Sequence, residues 1–263
     1  MKKLLVLCAA LIALVGSAAR AADLPIGAPA YPAPVFLPFS WNGFYLGLNL
    51  GGHWGNDRIS TTTDSAGGFR PAGAAAVDSA SPGTLSTTGL MGGFQAGYNW
   101  QFGSAVVGIE SDANFVTGTS NRTVNNIPVV APGDFFTNTS KQPLFLLTVR
   151  PRLGWAFDHA LVYVTGGYAF GTYQVIDSFG YFSGTTVSQV DFNARRSGWT
   201  AGAGLEYAFA RGVSAKIEYL YVDLGHFDNT IVGPQVAAPA NIVVHHKYSD
   251  NIIRAGVNFH PTW

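Results

Sequence analysis

Apolar residues fall at every second position through eight stretches of this chain. In the first, residues 43–54, Phe44, Leu46, Leu48 and Leu50 share one face while Tyr45, Gly47, Asn49 and Gly51 share the other. The second (88–100) sets Leu90, Phe94, Ala96, Tyr98 and Trp100 against Gln95, Gly97 and Asn99. The third (106–117) sets Val107, Ile109, Ala113 and Phe115 against Gly108, Glu110, Asp112 and Asn114. The fourth (144–157) sets Phe145, Leu147, Val149, Leu153 and Trp155 against Thr148, Arg150, Arg152 and Gly154. The fifth (161–173) is looser, with Val162, Val164, Tyr168 and Phe170 opposing Thr165, Gly167 and Gly171. The sixth (198–209) alternates Trp199, Ala201, Ala203, Leu205 and Tyr207 with Thr200, Gly202, Gly204 and Glu206. In the seventh (213–224), Val213, Ala215, Ile217, Tyr219 and Tyr221 oppose Lys216 and Glu218. The last sets Ile253, Ala255, Val257 and Phe259 against Arg254, Gly256 and Asn258. A period of two places successive side chains on opposite faces of a β-strand, so each stretch predicts a strand with one apolar face.

The connections alternate as well. Short turns around Gly103-Ser104, Asp158-His159 and Arg211-Gly212 join strands two to three, four to five and six to seven. Loops over about 55–87, 118–141, 175–196 and 225–245 make the other connections. This layout predicts an all-β fold, an eight-stranded antiparallel up-and-down transmembrane β-barrel with short periplasmic turns and long extracellular loops. Each stretch supplies the 9–11 residues or so that a tilted strand needs to cross a bilayer. Trp100, Phe102, Trp155, Phe157, Tyr207, Phe209 and Phe259 gather near the ends next to the short turns. Amphipathic rings at headgroup depth form such a membrane-interface girdle. A soluble sandwich would account for the alternation but not for this clustering at one end.

The amino terminus and composition agree with export to a membrane. Lys2 and Lys3 precede an apolar run from Leu4 to Val15, too short to span a bilayer as a helix, and Ala19 and Ala21 offer small residues for cleavage. Residues 1–21 are therefore expected to be a signal peptide, 22–40 a Pro/Ala-rich periplasmic lead-in, and 41–263 the barrel. Cys8 lies inside the apolar run after the large Leu7, which disfavours a lipoprotein, and as the only cysteine it leaves the mature chain without a disulfide. Only 11% of residues are charged, against about 25% in a soluble domain, and no other stretch reaches the length of a membrane helix. Loss of Lys2, Lys3 and Arg20 from fifteen bases, against fifteen acids, gives a mature net charge of −3, which offers nothing to nucleic acid.

Several segments carry a family resemblance: Ser40-Trp41-Asn42-Gly43-Phe44-Tyr45-Leu46-Gly47, Val107-Gly108-Ile109-Glu110-Ser111-Asp112, Lys216-Ile217-Glu218-Tyr219-Leu220-Tyr221-Val222-Asp223-Leu224-Gly225, and Ile253-Arg254-Ala255-Gly256-Val257-Asn258-Phe259. In this order they resemble the small outer-membrane barrels of alphaproteobacteria, the porin-family or OmpA-like surface antigens of Gram-negative cells. The resemblance implies the outer membrane as location, and the barrel-assembly machinery, outer-membrane lipids and lipopolysaccharide as partners. Family members usually stop one or two residues after the last of these stretches, on a terminal phenylalanine. Here His260-Pro261-Thr262-Trp263 follows, and Trp263 keeps the outward parity expected of an assembly signal, with Pro261 interrupting it. No peptidoglycan-binding domain is expected after it.

The inward parity then decides the expected function. Glu110, Asp112, Arg150, Arg152, Glu206, Lys216, Glu218 and Arg254 all point into a lumen just wide enough for side chains to fill. Counted from the short turns, Glu110 and Asp112 lie level with Arg152 and Arg150. Four acids and four bases are expected to pair, because an unpaired charge in a narrow interior costs several kcal/mol. The expected function is a structural barrel that supports the envelope, is plugged by salt bridges, and presents surface loops to host or surface ligands. A small-solute or ion porin, with the charges as a constriction, is the alternative. Enzymatic activity and a bound cofactor are not expected: none of the six histidines has a serine two residues on, the spacing that puts both on one strand face. A second alternative is haem or metal binding, since His53, His226, His245 and His246 lie at the loop ends of neighbouring strands, where neutral imidazoles can ligate iron or zinc.

Overall fold

The computed structural model describes residues 40–64, 71–127, 135–181, 185–233 and 240–261. The expected signal peptide, nearly all of the lead-in, and Trp263 lie outside them. Among the described residues nine strands follow one another: β1 (Gly43–Thr63), β2 (Gly83–Phe102), β3 (Ala105–Val116), β4 (Ser120–Ile127), β5 (Phe135–Phe157), β6 (Ala160–Tyr181), β7 (Thr185–Ala210), β8 (Val213–Gly233) and β9 (Ala240–Phe259). One helix, α1 (Pro71–Ala80), lies between β1 and β2. Antiparallel pairing runs β3-β2-β1-β9-β8-β7-β6-β5, and a further β3–β5 pairing closes the ring. The ring therefore has eight staves. β4 is a separate strand, after a three-residue break at 117–119, and among the described residues it pairs only with β5.

The hairpin turns are two residues long and sit where the pattern places them. Gly103, Gly212 and Asp158 adopt positive φ, the backbone that tight hairpins demand and that Gly and Asp tolerate best. The alternation also holds: the apolar parity faces outward and stays exposed, as Leu50, Phe94 and Val164 show, while the opposite parity is buried. In water that exterior would be a liability; against lipid it is the stable arrangement.

Following one cross-strand row gives the tilt. The row through Leu90 crosses Gly52, Ile253, Tyr219, Ala203, Val164, Leu153 and Val107, and returns to β2 at Trp100, ten residues further on. A shear of ten over eight strands inclines them by roughly 40° to the axis. The same slope corrects one expectation. Glu110 pairs with Arg150, and Gly108 with Arg152, two residues away from the register counted from the turns. In a sheared barrel the turns are not at one height, so counting from them misplaces neighbours.

The long connections are the larger correction. Much of the sequence expected as loop continues as strand, with polar residues outward and a buried inward parity. In β1, Asn56, Arg58, Ser60 and Thr62 are exposed while Asp57 and Ile59 are buried. Above the lipid the outward face meets water, so the apolar signal disappears although the ladder continues. α1 begins with Pro71, whose missing amide costs nothing at a helix start, and continues through an alanine-rich run. Its Val77 packs with Ile59, Leu85, Ile127, Ile242 and Val244 at the outer end of the barrel.

Candidate functional site

The interior is built in layers. At the turn end Trp41 is fully buried, its indole donating to the Asp158 carbonyl at 3.1 Å, in a cluster with Val106, Leu161 and Tyr163. His260 lies there too, its Nε2 2.9 Å from Ser214 Oγ.

Above lie all eight expected lumen charges, every one of them buried. Arg150 Nη2 donates to Glu110 Oε1 at 2.7 Å and Asp112 Oδ2 at 2.8 Å, and its Nη1 is 3.3 Å from Glu218. Arg254 grips Asp112 through both terminal nitrogens at 3.0 Å and donates to Glu218 through Nε at 2.8 Å. Lys216 Nζ reaches both Glu110 oxygens, at 2.7 and 2.8 Å. Arg152 donates to Glu206 at 2.7 Å and to the Tyr45 hydroxyl at 2.9 Å, which itself donates to Glu110 at 2.8 Å. Tyr163 packs its ring 4.0 Å under the Arg152 guanidinium and donates to Glu218. The network crosses the lumen: Arg254 and Lys216 lie on β9 and β8, and their partners Asp112 and Glu110 on β3. Gly97 makes room for it, because a Cβ there would strike the Tyr45 hydroxyl.

An apolar layer follows, including Met91, Leu146, Leu220, Val222 and Ile252 with Tyr173 and Tyr248. A second buried polar cluster sits above it, outside the lipid-facing band whose outward top on β1 is Trp54. Lys141 Nζ donates to Asp57 at 3.1 Å and is enclosed by the rings of Tyr248, Tyr173 and Phe227, at 3.9, 4.5 and 5.6 Å. His246 Nδ1 lies 3.0 Å from Asp57 and its ring stacks on Phe227 at 4.5 Å. Asp177, 3.7 Å from His246 Nε2, accepts from Thr139 and Asn229. Burial alone would lower the His246 pKa, but Asp177 and Asp57 outweigh it and the pKa is raised. Burial likewise pulls the Asp57 pKa up, and His246 and Lys141 overcome it, so that it is lowered.

Sequence reasoning did not find this cluster, because Lys141, Asp57 and Asp177 fall in stretches expected to be loops. Continued period-two burial was the signal that could have found it. The four histidines expected as a ligand set are split by strand parity. His53 and His246 point inward, with His53 bonded to Asp250 at 2.9 Å and the Thr117 carbonyl at 2.8 Å, whereas His226 is exposed and His245, half-buried on the outward parity, pairs with Asp228. Among the described residues no group of three or more His, Cys, Asp or Glu side chains is placed to hold a metal ion.

Trp100, Phe102, Trp155, Phe157, Tyr207, Phe209 and Phe259 are all exposed and ring the turn end. A closed antiparallel barrel with an apolar exterior, an aromatic ring at one end and a charged interior is an integral outer-membrane barrel. A family profile described as "Outer membrane protein beta-barrel domain" matches residues 8–260, and the chain belongs to that family. It is 32% identical to the 31 kDa outer-membrane immunogenic protein of Brucella melitensis, over 97% of this chain and 98% of that protein. It is 31% identical to the 22 kDa outer membrane protein of Rhizobium leguminosarum bv. viciae, over 74% of this chain and 69% of that one. Among solved structures, the outer membrane protein OprG of Pseudomonas aeruginosa aligns over 83% of this chain and 97% of its own, at 14% identity and a TM-score of 0.44.

Proposed function

We propose that the protein is a non-enzymatic structural barrel that reinforces the outer membrane, keeps its lumen shut and presents a rigid, strand-built outer surface, with residues 1–21 serving as its export signal. One observation carries this reading: eight buried charges, balanced four against four, form a network tied across the lumen by bonds of 2.7–3.0 Å from β9 and β8 to β3. A conducting path needs water along its length, and here the barrel cross-section is filled with guanidinium, carboxylate and phenol groups. A cavity of about 10 Å³ in the apolar layer and one of about 30 Å³ at the outer mouth have room for a water or two, not for a solute. Larger porins reach an aqueous channel with roughly sixteen strands. The immunogenic character in the names of the Brucella relatives fits a surface-presented barrel.

The test is single-channel recording of purified protein in a planar bilayer. Silence or rare small events are expected. Large steady openings at neutral pH would overturn the sealed-lumen reading in favour of a porin.

A further inference from the structure

The outward faces of the strands just above the lipid band are not alike around the barrel. On one flank Arg58 (β1), Lys247 (β9), His226 (β8) and Arg195 (β7) are exposed and point outward. Arg58, Lys247 and His226 lie in one cross-strand row. Trp199 shares a row with Asp223, Ser249 and Asn56, and Arg195 stands four residues above it on β7. When the rows are corrected for the slope of the barrel, the four basic groups lie roughly 4–10 Å above Trp54 along the axis. The aromatic residues Trp54, Trp199 and Tyr221 mark the lipid boundary beneath them, the last two with ring centroids 5.5 Å apart.

None of the four basic side chains has an ion pair among the described residues. The acids nearby are otherwise engaged: Asp228 holds His245 at 2.6 Å, Asp223 accepts from the Gly225 amide at 2.8 Å, and Asp191 accepts from Gln174. The opposite flank at this height presents Thr84, Ser86, Asn121, Thr123 and Gln142, all exposed and uncharged. Among the described residues the exposed, outward-facing basic groups at this height are therefore on one side; Arg122, on β4, is half-buried and donates to the Ser81 and Pro82 carbonyls.

We propose that this β7–β8–β9–β1 flank is a binding surface for the phosphate groups of outer-leaflet lipopolysaccharide. Arg58, Arg195 and Lys247, with the His226 imidazole among them, stand one layer above an aromatic boundary and match the depth at which a phosphorylated glycolipid presents its anions, while its acyl chains lie along Leu48, Leu50, Ile253 and Tyr219 below. Each basic group near an anionic surface favours binding, and salt screens the effect. The proposal rests on the outer-membrane location and is independent of whether the lumen is shut, so each can fail alone.

The test uses full-length protein folded in neutral detergent, with purified rough lipopolysaccharide and the same material dephosphorylated as probes. The wild type is expected to bind the phosphorylated form at least about tenfold more tightly than the dephosphorylated form, and to lose that margin in 1 M salt. The Arg58→Gln, Arg195→Gln, His226→Gln, Lys247→Gln variant is expected to lose the margin at low salt, whereas Arg58→Lys with Arg195→Lys retains it. Circular dichroism and heat-modifiable migration confirm that each variant is folded. Equal binding of both probes by the wild type, no binding by it, or an undiminished margin in the glutamine variant would each overturn the proposal.

Discussion

Arg254→Met is the sharpest perturbation of the charged layer. The Arg254 guanidinium holds Asp112 through two bonds of 3.0 Å and Glu218 through contacts of 2.6 and 2.8 Å, with its side chain fully buried. Methionine fills similar volume but leaves four acids facing three bases, with Asp112 and Glu218 sharing Arg150 and Lys216. Removing one partner of a buried ion pair costs about 3–5 kcal/mol, because the remaining charge stays desolvated. With an unfolding slope of about 2–3 kcal/mol per molar urea, the midpoint falls by roughly 1–2 M.

The assay is urea unfolding in lipid vesicles followed by fluorescence of the six tryptophans. The decisive arm is the double variant Arg254→Met with Glu218→Gln. It returns the layer to three acids and three bases, so it is expected to recover at least half of the loss. Two results would refute the reasoning. One is a cost for Arg254→Met below about 1 kcal/mol. The other is a double variant whose cost equals the sum of the two singles to within about 0.5 kcal/mol, as sites without interaction give.

Gly97→Val would drive a side chain into the Tyr45 hydroxyl and toward the Ile109 carbonyl, so folded yield in a vesicle refolding assay is expected to collapse, with Gly52→Ala, where only the Gly89 carbonyl lies near at 3.7 Å, as the tolerant control. Phe102→Asp and Phe209→Asp place a charge at the exposed aromatic ring and are expected to lower stability by about 1 kcal/mol each, well below the cost of Val164→Arg in the lipid-facing band, at about 2–4 kcal/mol, measured by the same unfolding. The outer polar cluster predicts a pH response. His246 has its pKa raised from 6.5, so its contribution is complete below about 6.5 and is lost as pH rises through the folded value; Asp57 is lowered from 3.8, so its share is present above about 3.8 and is lost as pH falls through its folded value. Protection factors over residues 240–250, that is, amide exchange corrected for its intrinsic base catalysis, are therefore expected to be higher at pH 5.5 than at 8.5, and His246→Phe is expected to remove that difference.

What the sequence revealed and what it concealed follow from one physical fact. Each strand has an inside that is uniform along its length and an outside that changes solvent at the membrane surface. Leu46, Leu48 and Leu50 announce the strand because lipid demands apolar residues there, and the turn residues Gly103, Asp158 and Gly212 announce its ends. Above Trp54 the same strand shows Asn56, Arg58 and Ser60 to water, and the contrast that marked it vanishes. Asp57 and Lys141 consequently read as loop charges although they are buried against each other. The lumen charges were legible because parity alone places them inward. Their register was not, because shear is a property of the closed ring and of no single hairpin. The histidines failed for the converse reason: proximity along neighbouring strands implies a cluster only when parity agrees, and the adjacent His245 and His246 must face opposite ways.

The two halves of the barrel are therefore stabilised by different physics around a continuous interior. In the lower half the exterior is in lipid, every backbone group must find its partner in the ladder, and the inside can be densely ionic because the ring of strands holds acids and bases at fixed bonding distance. In the upper half the exterior is in water, and the hydrophobic effect acts on the interior as it does in a soluble protein. The inward residues there change accordingly: Ile59, Leu85, Ile127, Ile242 and Val244 close over the polar cluster with Val77 of α1. Tyr173 and Tyr248 join the halves, belonging to the apolar layer by packing while enclosing Lys141 from below. On the proposed sealed-lumen reading, an ion entering from outside would meet an apolar cap, a charged cluster, an apolar layer and then the salt-bridged network. On that reading, a single substitution such as Arg254→Met weakens one of these layers and leaves three. Its cost should therefore be read in stability before it is read in conductance.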